Sequence, residues 1–188
     1  MKIVTFRAAL LLERDGFNFS CMNLFILRHG IAAEPDAPGI KTDAERPLIP
    51  KGEQRLRAAV AAMEKMGLSF DAIISSPYLR AKQTAEIVAK ILKLEKKLTF
   101  SADLIPGGNP QALIRQLNCL KPAPENILLV SHEPYLSRLI ALLSSGSPAA
   151  TIEMKKGGLC KLEVEELEYG HCAMFKWLLT PRQMELMN

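Results

Sequence analysis

No apolar run in this sequence approaches the length needed to cross a bilayer; the best, such as 139–143, are the size of core segments. A soluble chain without a membrane partner is therefore expected. The four cysteines, Cys21, Cys119, Cys160 and Cys172, contain no C-x-x-C pair. That excludes a disulfide framework and leaves reduced thiols in a cytoplasmic setting. His171 adjoins Cys172, but no second ligand pair stands at zinc-site spacing, so no metal is expected. Charge of one sign is scarce as well. Lys and Arg number 24 against 20 Asp and Glu, a formal net charge of +4. This mild bias suits an anionic ligand, yet it lacks the concentrated basic stripe of a nucleic-acid binder. Lys93, Lys96 and Lys97 read as a solvated helix end. Repeats and low-complexity tracts are missing too. As a secretory signal the first residues read poorly: Lys2 and Arg7 precede the apolar residues 8–12, but Glu13, Arg14 and Asp15 follow at once.

What is present is the balance of an ordinary globular chain, 188 residues with 48% hydrophobic and 23% charged. That is enough for one domain with a real core. Met22 stands just before the first convincing strand. The domain is expected over 22–188, with residues 1–21 an N-terminal extension of unknown role.

From Met22 onward, short apolar runs alternate with helical patterns. Leu24-Phe25-Ile26-Leu27, Ala72-Ile73-Ile74-Ser75 and Ile127-Leu128-Leu129-Val130 read as buried strands. A helix is expected from Lys51 to Met66, where Leu56, Ala59, Val60, Met63 and Met66 share a face and Gly67 follows. Ser76-Pro77 reads as a helix start, with Ser as N-cap, and the helix runs to about Leu92. Asn109-Pro110 opens another, and a fourth runs from about Pro134 to Leu143. A short strand is expected within 98–104, and residues 159–164 and 173–179 read as an antiparallel pair at a sheet edge. The alternation predicts an α/β fold, a three-layer α/β/α sandwich with a mostly parallel sheet and an antiparallel edge near the C-terminus.

Each of the three strong strands ends in a polar cluster: Arg28-His29-Gly30, then Ser75-Ser76-Pro77 with Arg80 a turn later, then Ser131-His132-Glu133-Pro134. The carboxyl ends of parallel strands share one edge, and ligands bind in the crevice there. Two arginines and two histidines would then converge. Paired guanidinium forks suit phosphoryl oxygens, and the helix N-terminus near Arg80 favours an anion. An imidazole among those cations is kept neutral and can attack phosphorus. Gly30 lets the backbone turn closely past the ligand. Taken singly, each residue has a plainer explanation; the convergence is what points to phosphoryl chemistry.

The tripeptide Arg28-His29-Gly30 after a strand resembles the signature of the histidine phosphatase (phosphoglycerate mutase-like) superfamily, and the chain is similar to its small SixA-type branch. The matching segments are Leu27 to Gly30, Arg46-Pro47-Leu48 with Gly52, Ser75-Ser76-Pro77-Tyr78-Leu79-Arg80-Ala81-Lys82-Gln83-Thr84, Leu104-Ile105-Pro106-Gly107-Gly108, and Val130 to Pro134. Many members carry Glu-Thr after Arg-His-Gly, where this chain has Ile31-Ala32, and Leu48-Ile49 replaces their Leu-Thr.

The resemblance implies a phospho-His29 intermediate, with Arg28, Arg80, His132 and Gly30 binding the phosphoryl group and neither metal nor organic cofactor. Asp103 lies near the region where many members carry their acidic proton donor, and Glu133 competes for that role. The implied activity is a phosphohistidine phosphatase acting on a phosphorylated protein of the histidine phosphotransfer type. The alternatives are a broad phosphomonoesterase for small phosphorylated substrates and a non-catalytic phosphoprotein-binding module. Phosphoglycerate mutase activity fits poorly, for want of a strong acid. Arg46 is read either as a supporting cation of the site or as the partner of a loop carboxylate.

Overall fold

The computed structural model describes residues 21–187, so the extension expected over 1–21 lies almost wholly outside the described residues. Six strands form one sheet: β1 (Met22–Arg28), β2 (Ala72–Ser75), β3 (Leu98–Phe100), β4 (Asn126–Ser131), β5 (Leu159–Val164) and β6 (Ala173–Leu179). Their spatial order is β3-β2-β4-β1-β5-β6. The first four are parallel, while β5 and β6 are antiparallel to their neighbours. The mostly parallel sheet with its antiparallel edge is thus the expected one.

The alternation within β1 shows how the sheet is covered. Leu24 and Ile26 point into one apolar cluster, Phe25 and Leu27 into the other, because successive side chains leave opposite faces. The first cluster is closed by α3 (Pro110–Asn118) and α4 (Tyr135–Ser145) through Leu113, Leu117, Leu136 and Ile140. The second is closed by α1 (Pro50–Lys65), α2 (Leu79–Ile91) and the short α5 (Pro181–Glu185) through Leu56, Met63, Val88 and Met184. Each wholly buried leucine or isoleucine contributes about 1.5–3 kcal/mol relative to exposure. Both faces of the sheet are filled, which makes the three layers.

Helix boundaries follow local chemistry. Asn109 caps α3 by accepting from the amides of Gln111 and Ala112, and Pro110 occupies the first turn. Gly67, with φ +69°, ends α1 as expected. The start of α2 differs from expectation. It begins at Leu79 and not at Ser76, and its N-cap position, Tyr78, makes no side-chain cap. Ser76 Oγ instead accepts from the Tyr78 amide and reaches across to His132. The hydroxyl is drawn out of capping by a tertiary partner.

Register places the chemistry. Arg28 lies opposite Ser131 and Ser75 opposite Val130, so β1, β2 and β4 end at one level. The residues that follow each strand therefore meet on one rim of the sheet.

Candidate active site

His29 continues the ladder of β1: its amide donates to Ser131 O at 3.0 Å. The side chain is nearly enclosed, at 6% exposure. Its Nδ1 lies 2.7 Å from Gly30 O. A carbonyl only accepts, so Nδ1 carries the hydrogen. Arg80 Nε donates to His29 Nε2 at 3.2 Å. A guanidinium only donates, so Nε2 holds a lone pair. Two independent partners thus select one neutral tautomer. Burial, with the charges of Arg80, Arg28 and Lys156, lowers the His29 pKa to about 3 against the contrary pull of the Gly30 carbonyl.

His132 follows β4, and its ring centroid is 5.1 Å from that of His29. Its Nε2 is 2.8 Å from Ser76 Oγ. Burial first, then His29 and Arg80, lowers its pKa to about 3 as well. Ser76 Oγ already accepts from the Tyr78 amide, so its own hydrogen is free for His132 Nε2. With the hydroxyl as donor, the hydrogen of His132 sits on Nδ1, a buried atom with no partner among the described residues.

Arg80, 4% exposed, is the second residue of α2. Its Nη1 donates to Asp43 O at 2.5 Å and its Nη2 to Asp43 Oδ2 at 2.8 Å. Its guanidinium carbon lies 5.5 Å from the Tyr78 ring centroid. Asp43 is held in turn by Arg46, whose Nη1 donates to Asp43 Oδ1 at 2.8 Å and whose Nε donates to Ala33 O at 2.7 Å. Partial burial acts to raise the Asp43 pKa, but the hydrogen bonds from Arg46 and Arg80 outweigh it and hold the pKa down. Arg46 therefore pairs a loop carboxylate, and through it steadies Arg80.

Arg28 turns its Nη1 to Met154 O at 2.6 Å, while its Nε is buried without a partner. Its charge acts on both His29 and His132. The rim thus brings Arg28, His29, Arg80 and His132 together, with two unsatisfied buried nitrogens, Arg28 Nε and His132 Nδ1. An anion with several acceptor oxygens meets that demand.

Gly30 does not adopt a left-handed backbone, so its lack of a side chain is used for close approach and not for a positive φ. A Cβ at Gly30 would stand 3.2 Å from Leu48 Cδ2, and its amide donates to Thr84 Oγ1 at 3.1 Å. The glycine packs the rim against α2.

Asp103 lies in a short 3-10 turn, its amide donating to Ser101 Oγ, and its charge acts on Tyr135. Among the described residues no hydrogen bond joins its carboxylate to the four. Glu133 lies nearer the charges: it acts on Arg28, accepts from Ser137 Oγ at 2.5 Å through Oε2, and leaves Oε1 buried without a partner. No group of three or more His, Cys, Asp or Glu able to hold a metal occurs among the described residues. Sequence reasoning passed over Asp43, Thr84 and Lys156. Only the Asp43-x-x-Arg46 spacing hinted at one of them.

A three-layer sandwich with two histidines and two arginines at the carboxyl rim of its sheet has the phosphoglycerate mutase-like architecture. Comparison with known proteins gives the same class. Residues 24–104 match the model of the histidine phosphatase superfamily (branch 1). The chain is 26% identical to the phosphohistidine phosphatase SixA of Escherichia coli (strain K12), over 88% of this chain and 98% of that protein. It is 30% identical to a SixA homolog of Haemophilus influenzae, over 65% of this chain and 77% of the homolog. The structure of the protein histidine phosphatase SixA complexed with tungstate superposes with a TM-score of 0.74 at 27% identity, covering 87% of this chain and 99% of that one. This chain belongs to the histidine phosphatase superfamily, in its SixA-type branch, and is a phosphatase.

Proposed function

We propose that the protein is a phosphohistidine phosphatase that removes the phosphoryl group from a phosphorylated protein through a phospho-His29 intermediate. The observation that carries this reading is the lone pair on His29 Nε2, fixed by Gly30 on the far side of the ring and set 3.2 Å from Arg80 Nε. In the first step, His29 Nε2 forms a bond to phosphorus and the bond to the leaving nitrogen breaks. A substrate phosphohistidine protonated on its distal ring nitrogen leaves as neutral imidazole and needs no proton from the enzyme. His29 keeps its Nδ1 hydrogen, so the phospho-imidazole is cationic and is itself a good leaving group. Water then attacks phosphorus, its proton passes to solvent or a nearby carboxylate, and His29 returns to its neutral form. Arg28, Arg80 and His132 hold the phosphoryl oxygens through both steps, and this electrostatic grip is the main source of rate.

An alkoxide leaving group, by contrast, calls on Asp103 or Glu133 for a proton. Asp103 faces Tyr135, and Glu133 faces Arg28. Neither is bonded into the four, which favours the phosphoramidate substrate. One SixA structure is a complex with tungstate, a tetrahedral oxyanion like phosphate, and this supports an oxyanion as the ligand of this chain's rim. All four cysteines are free, which fits a reducing cytoplasm.

The test is a phosphoenzyme trap. A labelled phosphohistidine donor should yield an acid-labile, alkali-stable phosphoprotein that His29→Ala loses, with turnover falling by three orders of magnitude or more, on the order of 4 kcal/mol. Sugar phosphates or phosphoglycerate competing better than phosphohistidine would point to a phosphomonoesterase. Binding without any phosphoenzyme would point to a docking module.

A further inference from the structure

The segment between α4 and β5 is strapped to the end of β1. Gly157 N–H donates to Arg28 O at 3.1 Å and to His29 O at 3.0 Å, and Arg28 N–H donates to Gly158 O at 3.1 Å. Arg28 Nη1 closes the strap on Met154 O. Gly157 has φ +78°, a left-handed conformation in which a side chain would be strained. The strap sets Lys156 beside the site, where its charge helps keep His29 neutral. Lys156 is half-buried, and among the described residues it has no hydrogen bond or ion pair.

From Arg28 an open trough of about 830 Å³ runs outward along the strap to α5. Five cations line it: Arg28, Arg55, Lys155, Lys156 and Arg182. Against them stand two carboxylates, Glu153 and Glu185, a surplus of three in a chain whose whole formal charge is +4. Lys155 is taken by Glu153, and Arg55 lies 3.9 Å from Glu185. Among the described residues, Lys156 and Arg182 are left without an ion pair, one beside His29 and the other at the far end.

We propose that this trough is a docking lane for carboxylates that flank the phosphohistidine on the protein substrate, with Lys156 and Arg182 selecting acidic neighbours. The inference rests on the phosphohistidine reading and adds to it what surrounds the target histidine. A protein surface is favoured over a small metabolite by the shape and chemistry of the lane. Small-molecule sites enclose their ligands, whereas this lane is open-sided and lined by five cations. Charges so arranged steer an oppositely charged partner and speed its encounter, and salt weakens the effect.

The experiment compares two phosphohistidine peptides of equal length, one flanked by aspartates and one by glutamines, with N-phosphoimidazole as the substrate that has no flanks. At low ionic strength the full-length protein should show a kcat/KM about tenfold higher for the aspartate peptide, in line with a few screened charge contacts. That preference should shrink at high salt. The double variant Lys156→Gln, Arg182→Gln should bring it close to unity, and Arg182→Gln, on an exposed side chain, should give a partial loss in the same direction. Hydrolysis of N-phosphoimidazole with equal rates on both peptides overturns the lane and leaves the phosphatase reading standing. Failure on all three phosphoramidates, with sugar phosphates turned over, removes that reading and the lane with it. Preference for a bisphosphorylated metabolite, lost in the double variant, would reassign the trough to a small ligand and overturn the protein-docking proposal.

Discussion

At the scale of single residues, the imidazole of His29 shows how little freedom the site leaves. Gly30 O fixes one ring nitrogen, Arg80 Nε faces the other, and burial removes the option of charge. His132 is held the same way by Ser76 and its own enclosure. Both histidines should therefore stay neutral across the range in which an ordinary imidazole titrates, near pH 6.5. Nitrogen-edited NMR of the imidazoles should show the His29 and His132 resonances flat from pH 8 to 5. A midpoint near 6.5 for His29 would mean that its ring is solvated and the nucleophile is not prepared. The residues of the four were readable from the chain because each stands at the end of a strong apolar strand or, for Arg80, a turn beyond one. Thr84, which holds the Gly30 amide, was not, because a helical threonine bonded to Arg80 O looks like any other.

At the scale of elements, the segment 31–50 acts through one turn. Asp43 occupies the outer edge of the Arg80 guanidinium with a carbonyl and a carboxylate oxygen, which leaves Nε directed at His29. Arg46, anchored by its Nε on the Ala33 carbonyl, braces that carboxylate. Asp43→Ala should free Arg80 to rotate and lower kcat/KM about tenfold, roughly 1.4 kcal/mol, with kcat falling more than KM rises. Asp43→Asn keeps one acceptor oxygen and should recover part of the loss. An unchanged kcat in Asp43→Ala would show that Arg80 holds its own orientation.

The strands, and four of the five helices, could be read from the chain, since period-two and period-3.6 patterns are local. The start of α2 could not. Ser76-Pro77 carries a helix-start pattern, and only the arrival of His132 from a strand 50 residues later diverts the hydroxyl. The Asp43 clasp and the strap around Gly157 were hidden for the same reason: both are made by irregular segments whose partners are set by the tertiary fold.

At the scale of the whole molecule, the two buried histidines tie stability to pH. Their folded pKa values, about 3, lie below the 6.5 of the unfolded chain. Below pH 6.5 the unfolded state therefore binds more protons than the folded state, and stability must fall as pH drops towards 3. Each histidine contributes a slope of up to about 1.4 kcal/mol per pH unit in that window. Asp43, with its lowered pKa, adds a loss in the same direction at the acid end. Urea titrations at pH 7, 5.5 and 4.5 should show the denaturation midpoint falling at each step. His132→Gln should flatten the trend by about one proton, whatever its effect on turnover. A midpoint that held steady between pH 7 and 4.5 would contradict the buried, uncharged state of both rings.

The ladder that carries β1 and β4 to a common level continues one residue further, in the bond from the His29 amide to Ser131 O. The peptide group of the proposed nucleophile is thereby part of the central sheet and does not belong to a loop. Its proton should exchange with deuterated solvent only when the sheet itself comes apart, as slowly as the amides of Ile26 or Leu129. The reacting residue would then rank among the last places in the protein to open, while the segment 31–50 beside it exchanges first.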